Sequence, residues 1–339
     1  MYESFFGLTG KPFQLNPDPS FFFGSKGHNR AFAYLQYGLY QGEGFIVITG
    51  EVGAGKTTIV RSLLEHLDRS TVVPGQIVST QLDADDLLRA VGVAFGLPVR
   101  AISKAVLLGS IEAFLTQLAL DKKRALLIVD EAQNLTPRAV EELRMLSNFQ
   151  FGDQALMQSF LVGQPELRTI MQSPRMQQLR QRVIASYHLG PLDASETQSY
   201  VEHRLRHVGW NDDPNFAPSC FPLIHTLTGG VPRRINSLCN RLMLAAFLSE
   251  KHAIEVTDVQ TISREIREEL GSDTQLAAVP NDIAVHAQEP SRTNVSADAA
   301  IRRLEERVGR VERTVGATVD LLRNLLHGEK SKSGNSTGT

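Results

Sequence analysis

The chain has 339 residues, 42% of them hydrophobic, and a formal net charge of −2. That length and apolar content support one large domain or two ordinary ones and exclude a disordered polymer. The near-neutral charge gives no global field for nucleic acid or an anionic membrane, although a local basic patch stays open. Cys220 and Cys239 sit in apolar, helix-like surroundings, which reads as two small core residues in a reducing compartment. No apolar run reaches the length needed to span a bilayer, and the first residues, with Glu3, Pro12 and Pro17, lack a signal-peptide pattern. A cytoplasmic protein is expected.

Residues 1–43 are aromatic and proline-rich, with Phe5, Phe6, Leu8, Phe13 and Phe21 to Phe23 ahead of a helix-like stretch from His28 to Tyr40. They read as an N-terminal strap over one edge of the next domain. That domain, residues 44–194, opens with the apolar run Phe45 to Thr49, breaks into glycines, and continues as an amphipathic helix through Ile59, Val60, Leu63 and Leu67. Gly50, Gly55, Lys56 and Thr57 meet the pattern G-x-x-x-x-G-K-[ST]. Glycines let successive backbone N–H groups face one anion, and the helix N-terminus adds partial positive charge. Gly50, Glu51, Val52, Gly53, Ala54, Gly55, Lys56, Thr57 and Thr58 are therefore expected to cradle the phosphates of a nucleotide, with Lys56 at the β- and γ-phosphates and Thr57 on Mg²⁺. Phe13 or His28, just ahead of this strand, would border the base.

Strands then alternate with helices: Val72 to Thr80, a helix from Asp83 to Phe95, another from Lys104 to Leu120, and the strand Ala125 to Val129. Such alternation implies parallel strands whose carboxyl ends share one edge. Asp130 and Glu131 follow the apolar run at once, a Walker B pattern: Asp130 for the Mg²⁺ shell, Glu131 to polarise the attacking water. Thr136 and Pro137 then start a helix as N-cap and first-turn proline, with Leu135 and Val140 as a staple. The apolar strand Phe160 to Val162 ends in Gly163, Gln164 and Pro165, placing Gln164 at a strand tip beside both motifs. Arg175, Arg180 and Arg182 precede the run Val183 to Leu189; such an arginine at a subunit edge can reach a neighbour's γ-phosphate, and Arg182 is the candidate among the three.

From Ser195 no strand pattern returns, so residues 195–270 read as an all-helical lid. It opens on a Ser-x-x-Gln capping box at Ser195 and continues with helices at Pro218 to Leu227, Pro232 to Leu248 and Thr257 to Leu270. Arg233 and Arg234 stand at the start of the third, where the helix dipole disfavours cations, which suggests an anionic partner. Residues 271–297 read as a linker. Ile301, Leu304, Val308, Val311, Val315, Thr318, Leu322 and Leu325 then mark a heptad seam over 298–327, for a short coiled coil or a docked amphipathic helix, before a tail at 328–339 disordered by composition.

Together these motifs resemble the AAA+ ATPases: an α/β P-loop NTPase domain with a parallel sheet, then a helical lid. The opening Met1 to Ser20, Gly50 to Thr58, Asp130 to Leu135 and Gly163 to Leu167 are similar to the general-secretion-pathway protein A group, in particular to the ATPase encoded beside exosortase (PEP-CTERM) and exopolysaccharide genes. The resemblance implies ATP and Mg²⁺ as ligands, Lys56 and Thr57 as Walker A, Asp130 and Glu131 as Walker B, Gln164 as sensor 1, Arg182 as a finger in trans and Arg233 as sensor 2. It implies a homo-oligomer with sites between subunits, and a client in a membrane-associated secretion or polysaccharide-export system, with peripheral attachment at the inner membrane open. Gln at sensor 1 departs from the commoner Asn or Thr, and a linker with heptads stands where such proteins often continue into a membrane helix. A DNA-dependent ATPase of the transposition or replication-helper kind and an ATP-switched scaffold are the alternatives.

Overall fold

The apolar runs become strands of one parallel sheet in a computed structural model that describes residues 1–78, 81–100 and 102–270. The expected linker, heptad helix and tail lie outside the described residues. The chain starts with a single turn, α1 (Tyr2–Phe5), and a long helix, α2 (Lys26–Gln41), then enters β1 (Phe45–Gly50), α3 (Lys56–Glu65) and β2 (Val72–Val78). Next come α4 (Ala84–Ala94), α5 (Lys104–Leu120), β3 (Arg124–Asp130) and α6 (Pro137–Leu146). A minimal hairpin, β4 (Gln150–Phe151) with β5 (Gln154–Ala155), leads into β6 (Met157–Gly163), α7 (Pro165–Gln172), α8 (Gln177–Arg180) and β7 (Val183–Leu189).

The sheet order is β2-β3-β6-β1-β7. The chain leaves β1 for the far edge, returns through β3 and β6, and adds β7 on the other side, so the order reverses at β1. That crevice at the carboxyl ends is where open α/β sheets bind ligands. Every residue of β1 and β6 is buried, as is β3 apart from Arg124, which is why these strands read as unbroken apolar runs. Alternate residues serve opposite faces. Phe45, Val47, Leu127 and Val129 pack with Leu87, Ile111 and Leu143 of α4, α5 and α6. Ile46, Ile48, Leu126, Ile128 and Phe160 pack with Leu35 of α2 and Ile59 and Leu63 of α3. Each such side chain taken from water contributes about 1.5–3 kcal/mol.

The helical part comprises α9 (Ala194–His207), α10 (Cys220–Thr228), α11 (Pro232–Leu248) and α12 (Val256–Leu270). Its core holds Val201, Leu205, Ile224, Leu227, Ile235, Leu238 and Leu242, with both cysteines; burial pushes the Cys220 thiol up to about 11. Three expectations are corrected here. The capping box lies two residues earlier, because Asp193 accepts from the Glu196 amide at 2.7 Å while Glu196 accepts from the Asp193 amide at 3.1 Å. Strand pairing does return after residue 195, in a parallel contact of β8 (Asn215–Phe216) with β9 (Ala253–Ile254), too short to carry a period. The strap does not simply cover an edge of the sheet domain: Tyr2, Phe6, Leu8 and Phe13 enter the helical core, and the Tyr2 hydroxyl donates to Asn240 at 2.8 Å. Phe13, only 1% exposed there, is not among the residues that line the cavity, whereas His28 is.

Candidate functional site

The loop after β1 turns through Gly53 at φ 84° and Gly55 at φ 97°, values that an L side chain rarely adopts. Space is as decisive as torsion. A Cβ on Gly53 would lie 2.3 Å from the Cβ of Arg233, and one on Gly55 would lie 2.6 Å from Nε2 of His28. Gly55 also caps α3 without a side chain, so the amides of that first turn keep their donors for an anion. Lys56 begins α3 and folds back over the loop, its Nζ donating to Gly50 O at 2.7 Å and Glu51 O at 2.9 Å. Burial lowers its pKa, against the opposing pull of Glu131, Asp130, Glu166 and Glu51.

β1 and β3 bring the two motifs together. Thr57 Oγ1 donates to Asp130 Oδ2 at 3.0 Å, and the Glu131 amide donates to Asp130 Oδ1 at 3.0 Å. The hydroxyl keeps its lone pairs and the carboxylate is fixed beside it, a set of hard oxygens that suits Mg²⁺. Glu131 stands at φ 54° and ψ 39°, a left-handed conformation that aims its side chain back over the sheet edge. Its Oε2 accepts from Gln133 Nε2 at 2.6 Å and from Gln164 Nε2 at 3.0 Å. Burial works to raise the pKa of this carboxyl, but the two amide donors and the Lys56 ammonium prevail and hold it below the usual carboxylate range. Gln164 lies just past the tip of β6, as the N-cap of α7, within reach of Glu131.

His28, on α2, is 6% exposed and lines the same cavity. Ala54 O can only accept, so Nε2 carries the proton and donates to it at 3.0 Å, while Nδ1 accepts from Ser25 Oγ at 2.7 Å. Burial lowers the pKa of this imidazole and favours that neutral tautomer. From the helical side, Arg233 lines the cavity and its backbone N–H donates to Gly53 O at 3.1 Å. Arg234 Nη2 lies 3.8 Å from Glu51 Oε2, so one acidic partner of this arginine pair is in the loop itself.

Arg182 stands apart. It immediately precedes β7, at the opposite end of the sheet from the P-loop, and its Nη1 donates to Ser147 O at 3.1 Å and Ser147 Oγ at 2.9 Å. Arg180 is likewise engaged with Met171 O and Ser173 O. Arg175 is exposed. Gln133, Tyr200, Arg204 and Asn236 also belong to this region, and no sequence motif marks them for a role. Gln133 is visible only as part of the Asp130–Leu135 run, and the other three lie on lid helices whose period marks their face but not the cavity they reach.

Residues 39–171 match the family described as AAA domain. General secretion pathway protein A of Aeromonas hydrophila is 40% identical over 268 residues, covering 78% of this chain and 48% of that protein. The chain thus spans about half the length of this curated relative. Among solved structures, the ORC2 protein of Aeropyrum pernix, in ADPNP–ADP complexes, matches with a TM-score of 0.54 at 19% identity, over 71% of this chain and 67% of that one. Cdc6p from Pyrobaculum aerophilum matches with a TM-score of 0.57 at 18% identity, over 74% and 71%. At such identity the likeness is one of fold. The sheet order and the P-loop geometry together show a P-loop NTPase fold, residues 39–171 match the AAA domain model, and the chain is similar to general secretion pathway protein A.

Proposed function

We propose that this chain binds ATP with Mg²⁺ and hydrolyses it to ADP and phosphate, driving conformational change in a secretion-associated assembly. The observation that carries the reading is the 3.0 Å contact between Thr57 and Asp130, with Lys56 and Glu131 lining one cavity beside it. Lys56 and the α3 amides bind the triphosphate. Thr57 and Asp130 are the oxygens that would hold Mg²⁺, which supplies charge neutralisation at the β- and γ-phosphates. The Glu131 carboxylate, through the oxygen that Gln133 and Gln164 leave open, takes a proton from the attacking water as the water oxygen bonds to the γ-phosphorus and the bond to the ADP oxygen breaks. Gln164, which already reaches Glu131, stands as sensor 1, and Arg233, beside Gly53, as sensor 2.

The site acts between subunits of a homo-oligomer, with an arginine entering from the neighbour. Arg175 suits that role better than Arg182, whose two bonds to Ser147 would have to break first. The secretion setting rests on the 40% identity to general secretion pathway protein A, and within it we place the chain in an exosortase or exopolysaccharide system with a membrane-associated protein client. Among the described residues no helix is long and apolar enough to cross a membrane. The test is a pair of variants. Lys56→Ala is expected to lose ATP binding, and Glu131→Gln to bind ATP without turnover; normal turnover in both sinks the proposal. Capture of partners on ATP-loaded Glu131→Gln protein then reads the client, and recovery of no secretion or export component counts against the setting.

A further inference from the structure

The helical part carries one buried charge that the hydrolytic step does not use. Arg204 of α9 is 6% exposed, and among the described residues it pairs with no carboxylate. Its Nε donates to Pro12 O, its Nη2 to Gln14 O at 3.3 Å and its Nη1 to the Tyr200 hydroxyl at 3.0 Å. The guanidinium lies 4.6 Å from the ring centre of Phe21 and 5.7 Å from that of Tyr200. Tyr200 passes its own proton to Asn236 Oδ1 at 2.9 Å.

Burying a cation without a counter-ion is costly, and neutral acceptors and ring faces offset only part of that cost. The arrangement makes sense where the fork does more than fill a core. A guanidinium has five N–H donors, of which three are spent on the two strap carbonyls and Tyr200. Arg204, Tyr200 and Asn236 line the same cavity as Gly53 and Gly55 to Thr58, together with Phe21, Phe22 and Phe23 of the strap. The P-loop takes the phosphates at one end. The far end, walled by strap aromatics and these lid polar groups, is left for the base.

We infer that Arg204 is a positioning residue for the nucleobase, fastening the strap at Pro12 and Gln14 to the lid so that both close on the base together. This rests on the ATP reading above. It makes the strap a part of the nucleotide site, held in place from the lid. α1 packs on α11 and α2 packs on β1 and β7, so the segment between them, which lines the cavity, is anchored at both ends.

The test uses the full chain and two ligands. ATP engages both ends of the cavity, whereas inorganic tripolyphosphate engages only the P-loop. Arg204→Ala is expected to weaken ATP binding at least about tenfold, leave tripolyphosphate binding within about twofold, and raise KM for ATP far more than it lowers kcat. Arg204→Lys, which keeps the charge but not the fork, is expected to fall between Ala and wild type. Hydrogen exchange adds a readout that needs no nucleotide: in Arg204→Ala the strap amides of residues 12–24 lose protection while those of α10 and α11 keep it. Equal weakening of ATP and tripolyphosphate, or unchanged strap exchange in a folded variant, overturns the inference. Wild-type protein that binds tripolyphosphate but gains nothing from the base overturns it while leaving the P-loop reading intact. Wild-type protein that binds neither ligand overturns the ATP reading and this inference with it.

Discussion

Gln133→Leu tests whether Gln133 orients Glu131, the proposed general base, at the strand tip. Leucine keeps nearly the same volume but removes both polar atoms: the Nε2 donor, 2.6 Å from Glu131 Oε2, and the Oε1 acceptor, 3.0 Å from the Gln164 amide. A hydrogen bond to a charged group contributes about 1.5–3 kcal/mol, and an orphaned buried amide costs about 1–3 kcal/mol. Gln133 and Gln164 are both half-buried, so water recovers part of the second quantity and the lower ends apply. That leaves about 2 kcal/mol of lost orientation around Glu131, with Gln164 Nε2 as the remaining donor at 3.0 Å. At 1.36 kcal/mol per tenfold, kcat should fall about tenfold to a hundredfold. KM for ATP should barely move, since Gln133 does not line the nucleotide cavity. Single-turnover hydrolysis with separately measured ATP affinity reads the two apart. A variant with wild-type kcat refutes the orienting role, and one that loses ATP affinity as much as turnover shows that the damage is to the loop.

Two further outcomes follow from the loop. Gly53→Ala forces an L residue to φ 84° and sets its Cβ 2.3 Å from that of Arg233. The torsion alone costs about 1–2 kcal/mol, and the clash must push the lid off the loop. ATP affinity should drop at least about tenfold, and a titration that matches wild type would show that Arg233 does not rest on Gly53. His28 supplies a pH dependence. Its folded pKa lies below its ordinary value of 6.5, so protons favour the unfolded or detached state; its contribution is complete above about pH 6.5 and is lost as pH falls through the folded value. Thermal stability and ATP affinity should both decline on acidification from pH 7 to about 5, and His28→Gln should flatten that part of the decline. Curves that superpose for variant and wild type would remove His28 as their source.

The centre of this site was legible because its strands are buried on both faces. Phe45 to Ile48 of β1 and Ala125 to Val129 of β3 carry no polar residue, so the run, the glycines and the carboxylates stand out together. β6 was read short, as Phe160 to Val162, since Gln158 and Ser159 interrupt the apolar pattern while being buried. Gln158 is tolerated there because its amide donates to the Gly38 and Glu43 carbonyls more than a hundred residues away. The strap shows the same limit. Its aromatic residues announce burial, but nothing local says that Tyr2, Phe6 and Phe13 belong to the helical core.

What periodicity cannot express is which of several equivalent side chains a distant carbonyl selects. Arg175, Arg180 and Arg182 are interchangeable as a charge cluster. In the fold, two of them are spent on backbone carbonyls of their own chain, Arg180 on Met171 and Ser173 and Arg182 on Ser147, while Arg175 projects from the turn before α8. A guanidinium that must travel to a neighbour's phosphate has to start without such ties, because each bond broken subtracts from the transition-state contact it would form. The same reasoning runs in reverse for Arg204, whose ties to Pro12, Gln14 and Tyr200 are what make it useful. On the two proposals made above, Arg175 would act by being free and Arg204 by being held, and only the long-range contacts separate them.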